Sequence, residues 1–217
     1  MEHENIFKSK IDVECRNIAK KSTQLTIIKK DSENNICKHF ISDEVFKWEL
    51  KVYQTLKQYD ITPKLRKECL QVIYKTNDLT SLRNYIKKEA NINYSFFLNE
   101  LFSFINYFKT LKFVHGNLHI DNVFISQCKY SNIKYYIIDY SNTYLFNTKF
   151  APKFKRSSYL GEDNYKILTY DLIYWDFLTM YISLLEVIGN NQMIKDILVD
   201  VVRTYVKTEK LLKLIVK

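Results

Sequence analysis

The chain has 217 residues, 47% of them hydrophobic and 15% aromatic, and its 33 Lys and Arg against 24 Asp and Glu give a net charge of +9. This is enough apolar chain for one sizeable domain, or for two lobes with small separate cores, and it excludes a disordered tail. No stretch approaches the roughly 18 apolar residues of a membrane span, and Met1 to Lys10 is charged with no apolar signal-peptide core.

The four cysteines, Cys15, Cys37, Cys69 and Cys128, form no C-x-x-C pair. That argues against a zinc site and for free thiols in a reducing, intracellular compartment. A basic balance attracts phosphates on nucleotide, nucleic acid or lipid, although lysines solvating helix faces produce the same count. Abundant Lys, Asn, Ile and Tyr match an AT-rich genome, as in many large DNA viruses, which would put the chain in a host cytoplasm.

In chain order, Ile11 to Cys15, Gln24 to Ile28 and Ile36 to Ile41 read as short strands, with a polar turn at Asp31 to Asn35. Asp43 to Gln58 then sets Val45, Phe46, Leu50, Tyr53 and Leu56 on a helical stripe, with Ser42 or Asp43 as cap and Ile61-Thr62-Pro63 as the stop. Lys64 to Tyr74 suggests two more strands around a turn near Arg66-Lys67-Glu68. Thr76-Asn77-Asp78 is a polar break and the expected hinge. Leu79 to Lys88 reads as a helix, and Tyr94 to Leu111 as a longer, apolar one. Short strands follow at Asn122 to Ser126 and Tyr135 to Ile138, then an irregular basic stretch from Asn142 to Lys166. Helices over Thr169 to Ile188 and Gln192 to Ile215 close the chain. Strands first and helices after give an α+β arrangement in two lobes, 1–76 and 77–217, of a single domain.

Phe113 to Ile125 reads FVHGNLHIDNVFI and Tyr135 to Tyr140 reads YYIIDY. The first resembles the catalytic loop of protein-kinase-like phosphotransferases, in the H-G-D-x-x-x-x-N form of RIO kinases, aminoglycoside phosphotransferases and the small KEOPS-complex kinase. The second resembles the strand and Asp of the kinase D-F-G element. The resemblance covers Ile11 to Glu186 and implies a two-lobed kinase-like fold that uses ATP and Mg²⁺. Phosphoryl transfer asks the protein to position groups and neutralise charge. For the phosphate-holding lysine and its helix glutamate, Lys38 and Glu49 fit by position, with Lys29, Lys30 and Glu44 as competitors. Asn122 and Asp139 are the candidate oxygen ligands of Mg²⁺. His115 is expected to pack beneath the loop, as is His119. Asp176, or alternatively Asp171, matches the aspartate that anchors the loop backbone.

Three features depart from the family pattern. Asn117 stands at the position of the catalytic aspartate, and an amide cannot take a hydroxyl proton as a carboxylate does. Asp121 lies nearby on a different turn position. The segment Arg16 to Thr23, where the family keeps its phosphate-cradling glycines, has none, and Lys20 and Lys21 are left to meet phosphate by side chain. Tyr140-Ser141 replaces Phe-Gly. The expected protein is therefore a pseudokinase or weak ATP-binding phosphotransferase. The alternatives are an active atypical Ser/Thr protein kinase and a basic RNA- or protein-binding scaffold on the same fold. A protein partner is expected. RNA is the other ligand for the basic surface, through Lys149, Lys153, Lys155 and Arg156 and the closing-helix residues Lys195, Arg203, Lys207, Lys210, Lys213 and Lys217. The apolar stripe of that helix, Ile197, Leu198, Val201, Tyr205 and Leu212, is expected to pack on the C-terminal lobe.

Overall fold

The computed structural model describes residues 26–89, 91–127, 133–146 and 174–206. The expected strand Ile11 to Cys15, the segment Arg16 to Thr23, the basic residues from Lys149 to Arg156 and everything after Val206 lie outside them. A four-stranded antiparallel sheet comes first, in the order β1-β2-β4-β3. It is built from β1 (Thr26–Lys30) and β2 (Ile36–Phe40), followed after a helix by β3 (Leu65–Glu68) and β4 (Gln71–Tyr74).

The polar cluster between β1 and β2 closes the first hairpin through side chains. Asp31 Oδ1 accepts the N–H of Glu33 at 2.9 Å and of Asn35 at 2.8 Å. Asn34 adopts φ 63°, a left-handed conformation that asparagine tolerates. The buried Asn35 accepts the Thr76 N–H at 3.2 Å, and Thr76 donates to Asn34 O at 3.0 Å. The hairpin turn is thereby tied to the segment that leaves the sheet.

Helix α1 (Asp43–Leu56) starts at Ser42, whose hydroxyl accepts the Val45 N–H at 3.4 Å, with Asp43 and Glu44 at the positive end of its dipole. A 3₁₀ turn, Lys57–Tyr59, and a left-handed Asp60 (φ 56°) end it. Phe46 and Leu56 are buried and Val45, Leu50 and Tyr53 are partly covered and packed on the same core, as the stripe read from sequence has it, and a first correction adds the buried Trp48, Glu49 and Val52. A one-sided stripe assumes solvent on the far face. Here that face meets the segment near residue 143, where Trp48 donates to Thr143 O at 3.1 Å. A second correction concerns Arg66-Lys67-Glu68, which is strand rather than turn; the chain reverses at Cys69 (φ 43°) and Leu70. Consecutive charges mimic a turn, but β3 is a sheet edge, where charge guards unpaired backbone groups.

The expected helix Leu79 to Lys88 begins instead as a strand, β5 (Thr80–Ser81), with α2 (Leu82–Lys88) capped by Ser81. Helix α3 (Tyr94–Thr110) follows, then β6 (Phe113–Val114), β7 (Val123–Gln127), β8 (Ile133–Ile137) and β9 (Tyr144–Leu145). β5, β7 and β8 make a three-stranded sheet, and β6 pairs with β9. Helices α4 (Trp175–Ile188) and α5 (Gln192–Tyr205) pack against α3. Phe102 of α3 stacks on Phe177 of α4 at 5.9 Å and on Tyr205 of α5 at 6.4 Å. These aromatic contacts join the three helices. On α5, Ile194, Leu198, Val201 and Val202 are buried and Arg203 is exposed, so its apolar face does pack on this lobe; Leu212 lies outside the described residues. Among the described residues, no helix is long and apolar enough to cross a membrane. The architecture is α+β: a small antiparallel sheet lobe with one helix, joined to a helical lobe.

Candidate functional site

The β7–β8 hairpin makes the first placement. Its register pairs Val123 with Ile137, and the Ile138 N–H donates to Asn122 O at 3.1 Å. Asn122 and Asp139 therefore stand at the same end of one hairpin. Asp139 has φ 70°, uncommon for a residue with a side chain and held here by its partners.

From the other lobe, β2 and α1 supply Lys38 and Glu49, whose charged atoms meet at 2.8 Å with side-chain exposures of 1% and 0%. Lys38 also donates to Asp139 Oδ1 and to Ser141 Oγ. Glu49 accepts in addition from the Tyr74 hydroxyl and from the Tyr140 N–H at 2.9 Å. Burying such charges is costly, and the arrangement holds only because each is hydrogen-bonded. Burial opposes the charge on Lys38, but Asp139 and Glu49 outweigh it and hold its pKa above the ordinary lysine value. Burial likewise pushes the Asp139 carboxyl up, and Lys38 more than offsets it, so that carboxyl sits below its usual range. The competitors behave differently: Lys29, Lys30 and Glu44 are exposed, and the two lysines line the cleft described below.

The loop between β6 and β7 is fixed from beneath. Asp176, on the first turn of α4, accepts the His115 N–H at 2.7 Å and the Gly116 N–H at 2.9 Å. Trp175 Nε1 donates to Gly116 O at 2.8 Å, and Gly116 takes φ 79°, which glycine alone adopts freely. Burial raises the Asp176 carboxyl to about 7, with the two N–H bonds pulling the other way. Its alternative, Asp171, lies outside the described residues. His115 is wholly buried; Nε2 is 2.9 Å from Ile138 O, and Nδ1 accepts the Asn117 N–H at 3.3 Å. That pattern suits a neutral ring with its proton on Nε2, and burial lowers its pKa to about 4. Asn122 Nδ2 donates to Asn117 O at 2.9 Å, closing the loop on itself. Asp121 faces outward from it and takes a two-pronged ion pair from Arg83, at 2.6 and 2.8 Å.

Asn117, His119, Asp121, Asn122 and Asp139 line one cleft of about 570 Å³, with Lys29 and Lys30 of β1 on its wall. Burial depresses the His119 pKa, with Asp121 pulling the other way. A second cavity of about 310 Å³ lies among Ile105, Phe108, Phe113 and Val114; its lining is mainly apolar and includes neither Asn122 nor Asp139. Among the described residues no three His, Cys, Asp or Glu side chains gather as a self-sufficient metal site. Three contributors went unread in the sequence. Tyr74 ends β4 with nothing in the strand pattern to single out its hydroxyl. Arg83 is one of many basic residues. Ser141 registers in the sequence only as a missing glycine, although a hydroxyl two residues beyond Asp139 is within local reach of it, at 3.1 Å.

No protein-family model and no curated protein matches the chain. Among solved structures it is similar to WaaP in a complex with acyl carrier protein, with 11% identity and a TM-score of 0.51 over 84% of this chain and 74% of that one. It is also similar to the Rio2 kinase of Chaetomium thermophilum, solved as an ADP/Mg²⁺-phosphoaspartate complex, with 12% identity and a TM-score of 0.43 over 82% and 67%. The likeness to WaaP shows the fold alone, and that fold is protein-kinase-like. At these identities the likeness concerns the fold, and the chemistry of this kinase-like chain has to be argued from its own residues.

Proposed function

We propose that this kinase-like protein is a pseudokinase or weak nucleotide binder whose capacity for phosphoryl transfer is slow or lost. The observation that carries the reading is the buried Lys38–Glu49–Asp139 network beside a cleft in which residue 117 is an amide. The donor set suits Mg²⁺–ATP in part. Asp139 offers a carboxylate and Asn122 an amide oxygen at one end of a hairpin, hard oxygen donors that would fill two of the six positions of a Mg²⁺ shell and leave the rest to phosphate oxygens and water. Lys38, one contact beneath Asp139, would neutralise phosphate charge, and Lys29 and Lys30 make the cleft wall positive. His115 would act as a packing residue, and Asp176 as the anchor of the loop. Mg²⁺ would supply charge neutralisation between phosphates. Asn117 can orient a hydroxyl group but cannot take its proton.

The reading extends to residues 1–76 and 77–217 as the two lobes hinged at Thr76 to Asp78, a boundary supported by the bonds from Thr76 back to the first hairpin. It extends also to an intracellular, cytoplasmic setting, supported by the free thiols Cys37 and Cys69. A protein partner with an acidic face suits the net charge of +9. RNA is the other such ligand, and its binding would fall steeply with salt.

The test is a thermal-shift titration with ATP, with and without Mg²⁺. At ten times its Kd, ATP should stabilise the fold by about 1.4 kcal/mol, or about 3–5 °C for a chain of this size. No shift at millimolar ATP under either condition would refute nucleotide binding and leave the scaffold reading.

A further inference from the structure

An ammonium group has three N–H donors and no acceptor. On Lys38 all three are engaged inside the protein, by Glu49 Oε2, Asp139 Oδ1 and Ser141 Oγ. Lys38 is 1% exposed and is absent from the lining of the cleft, because its own partners surround it. The three partners are not equivalent. Glu49 is a carboxylate held also by Tyr74 and by the Tyr140 N–H, so it cannot swing away without leaving buried donors orphaned. Asp139 is a carboxylate paired to the ammonium by charge. Ser141 alone is neutral. Its oxygen also lies 3.1 Å from both Glu49 Oε2 and Asp139 Oδ1, and its single O–H can donate to only one of them at a time.

A phosphate oxygen that reaches Lys38 must therefore displace a partner, and the partner bound least by charge is the Ser141 hydroxyl. We propose that Ser141 occupies the Lys38 donor that a nucleotide phosphate would use, so that the resting site competes with its own ligand. This rests on the nucleotide-binding reading and deepens it. It assigns weak binding to one hydroxyl, in addition to the absence of glycines between Arg16 and Thr23. It also gives Ser141 a role that the loss of a flexible glycine does not. A residue that merely rigidified the backbone would affect every ligand of the cleft alike. One that competes for Lys38 affects only ligands that carry phosphate.

The experiment is calorimetric titration of ATP, ADP and adenosine into the wild type, Ser141→Ala and Ser141→Thr, each with and without Mg²⁺. Ser141→Gly is run beside them, so the result does not hang on one variant folding. Removing the hydroxyl leaves a buried donor without a partner until phosphate supplies one. ATP and ADP should then bind about tenfold more tightly to Ser141→Ala and Ser141→Gly, the size of one hydrogen bond to a charged group. Adenosine should bind all four proteins alike, and Ser141→Thr, which keeps a hydroxyl, should match the wild type. Equal ATP affinity in wild type and Ser141→Ala would overturn the inference and leave the nucleotide-binding reading standing. Equal tightening for adenosine would overturn it as well, since the gain would then not involve phosphate. Absence of ATP binding in every variant would overturn both.

Discussion

His115 makes the fold acid-labile in a way that can be worked out in advance. The ring is wholly buried, hydrogen-bonded at both nitrogens, and faces Lys38, His119 and Asp139; burial takes its pKa from 6.5 to about 4. Between those values the unfolded chain binds a proton that the folded one refuses, so stability is full above pH 6.5 and is lost as pH falls towards 4. Each pKa unit is worth about 1.36 kcal/mol, so a shift of about 2.5 units amounts to about 3 kcal/mol in all, of which about 2 kcal/mol should go between pH 7 and pH 4.5. The perturbation is His115→Gln, which cannot titrate but can still donate towards Ile138 O. Urea unfolding at the two pH values is the assay. With a slope of about 2 kcal/mol per molar, the wild-type midpoint should drop by about 1 M more than that of the variant. The difference between the two proteins isolates His115 from the other titrating groups. Equal drops in both would mean that burial does not lower the His115 pKa in the fold, and the acid-lability argument would be wrong.

Other outcomes follow from the same contacts. Asp176→Ala orphans two buried N–H groups at about 1–3 kcal/mol each, a large share of a typical folding free energy of about 5–15 kcal/mol, and should lower the melting temperature by at least about 5 °C. Asp139→Ala should abolish any Mg²⁺-dependent part of ATP binding, measured by titration with and without the metal; unchanged Mg²⁺ dependence would remove Asp139 from the metal assignment. Asn117→Asp should raise γ-phosphate transfer above the wild type, while a wild-type rate already within the usual kinase range of about 1–100 per second would refute the pseudokinase reading.

The parts legible in the sequence were those governed by local pattern. Asp31 to Asn35 announced a turn, and Tyr94 onward announced a buried helix, because spacing and turn chemistry act within a few residues. The failures have a common cause. Arg66-Lys67-Glu68 read as a turn because nothing local says that a strand lies at a sheet edge. Trp48, Glu49 and Val52 fell outside the expected stripe because the second covering layer of α1 comes from residues far later in the chain, around Thr143. At the site, Lys38 and Glu49 could be chosen only by position in a resemblance. What separates them from Lys29, Lys30 and Glu44 is burial, which the alternation of a five-residue strand does not reveal when its lysine points inward. Ser141 and Tyr74 were missed for the converse reason: their hydroxyls matter only through partners that the fold brings from other elements.

The geometry of the loop does not depend on the side chain at 117. Its backbone is tied by Asp176 to His115 and Gly116, by Trp175 to Gly116, and by Asn122 to Asn117 O. His115 takes up the Asn117 N–H and reaches Ile138, and Ser183 accepts the Ile120 N–H at 3.2 Å. All of these contacts use main-chain atoms of the loop or side chains other than that of Asn117. An amide and a carboxylate at 117 should therefore sit on the same backbone, and their difference should be one of chemistry. The ties from Asp176 and Asn122 hold the loop whichever of the two side chains stands at 117. On the proposed reading, Asn117→Asp should therefore change the rate of phosphoryl transfer while leaving the melting temperature within about 1–2 °C of the wild type, because the loop backbone has no tie to that side chain.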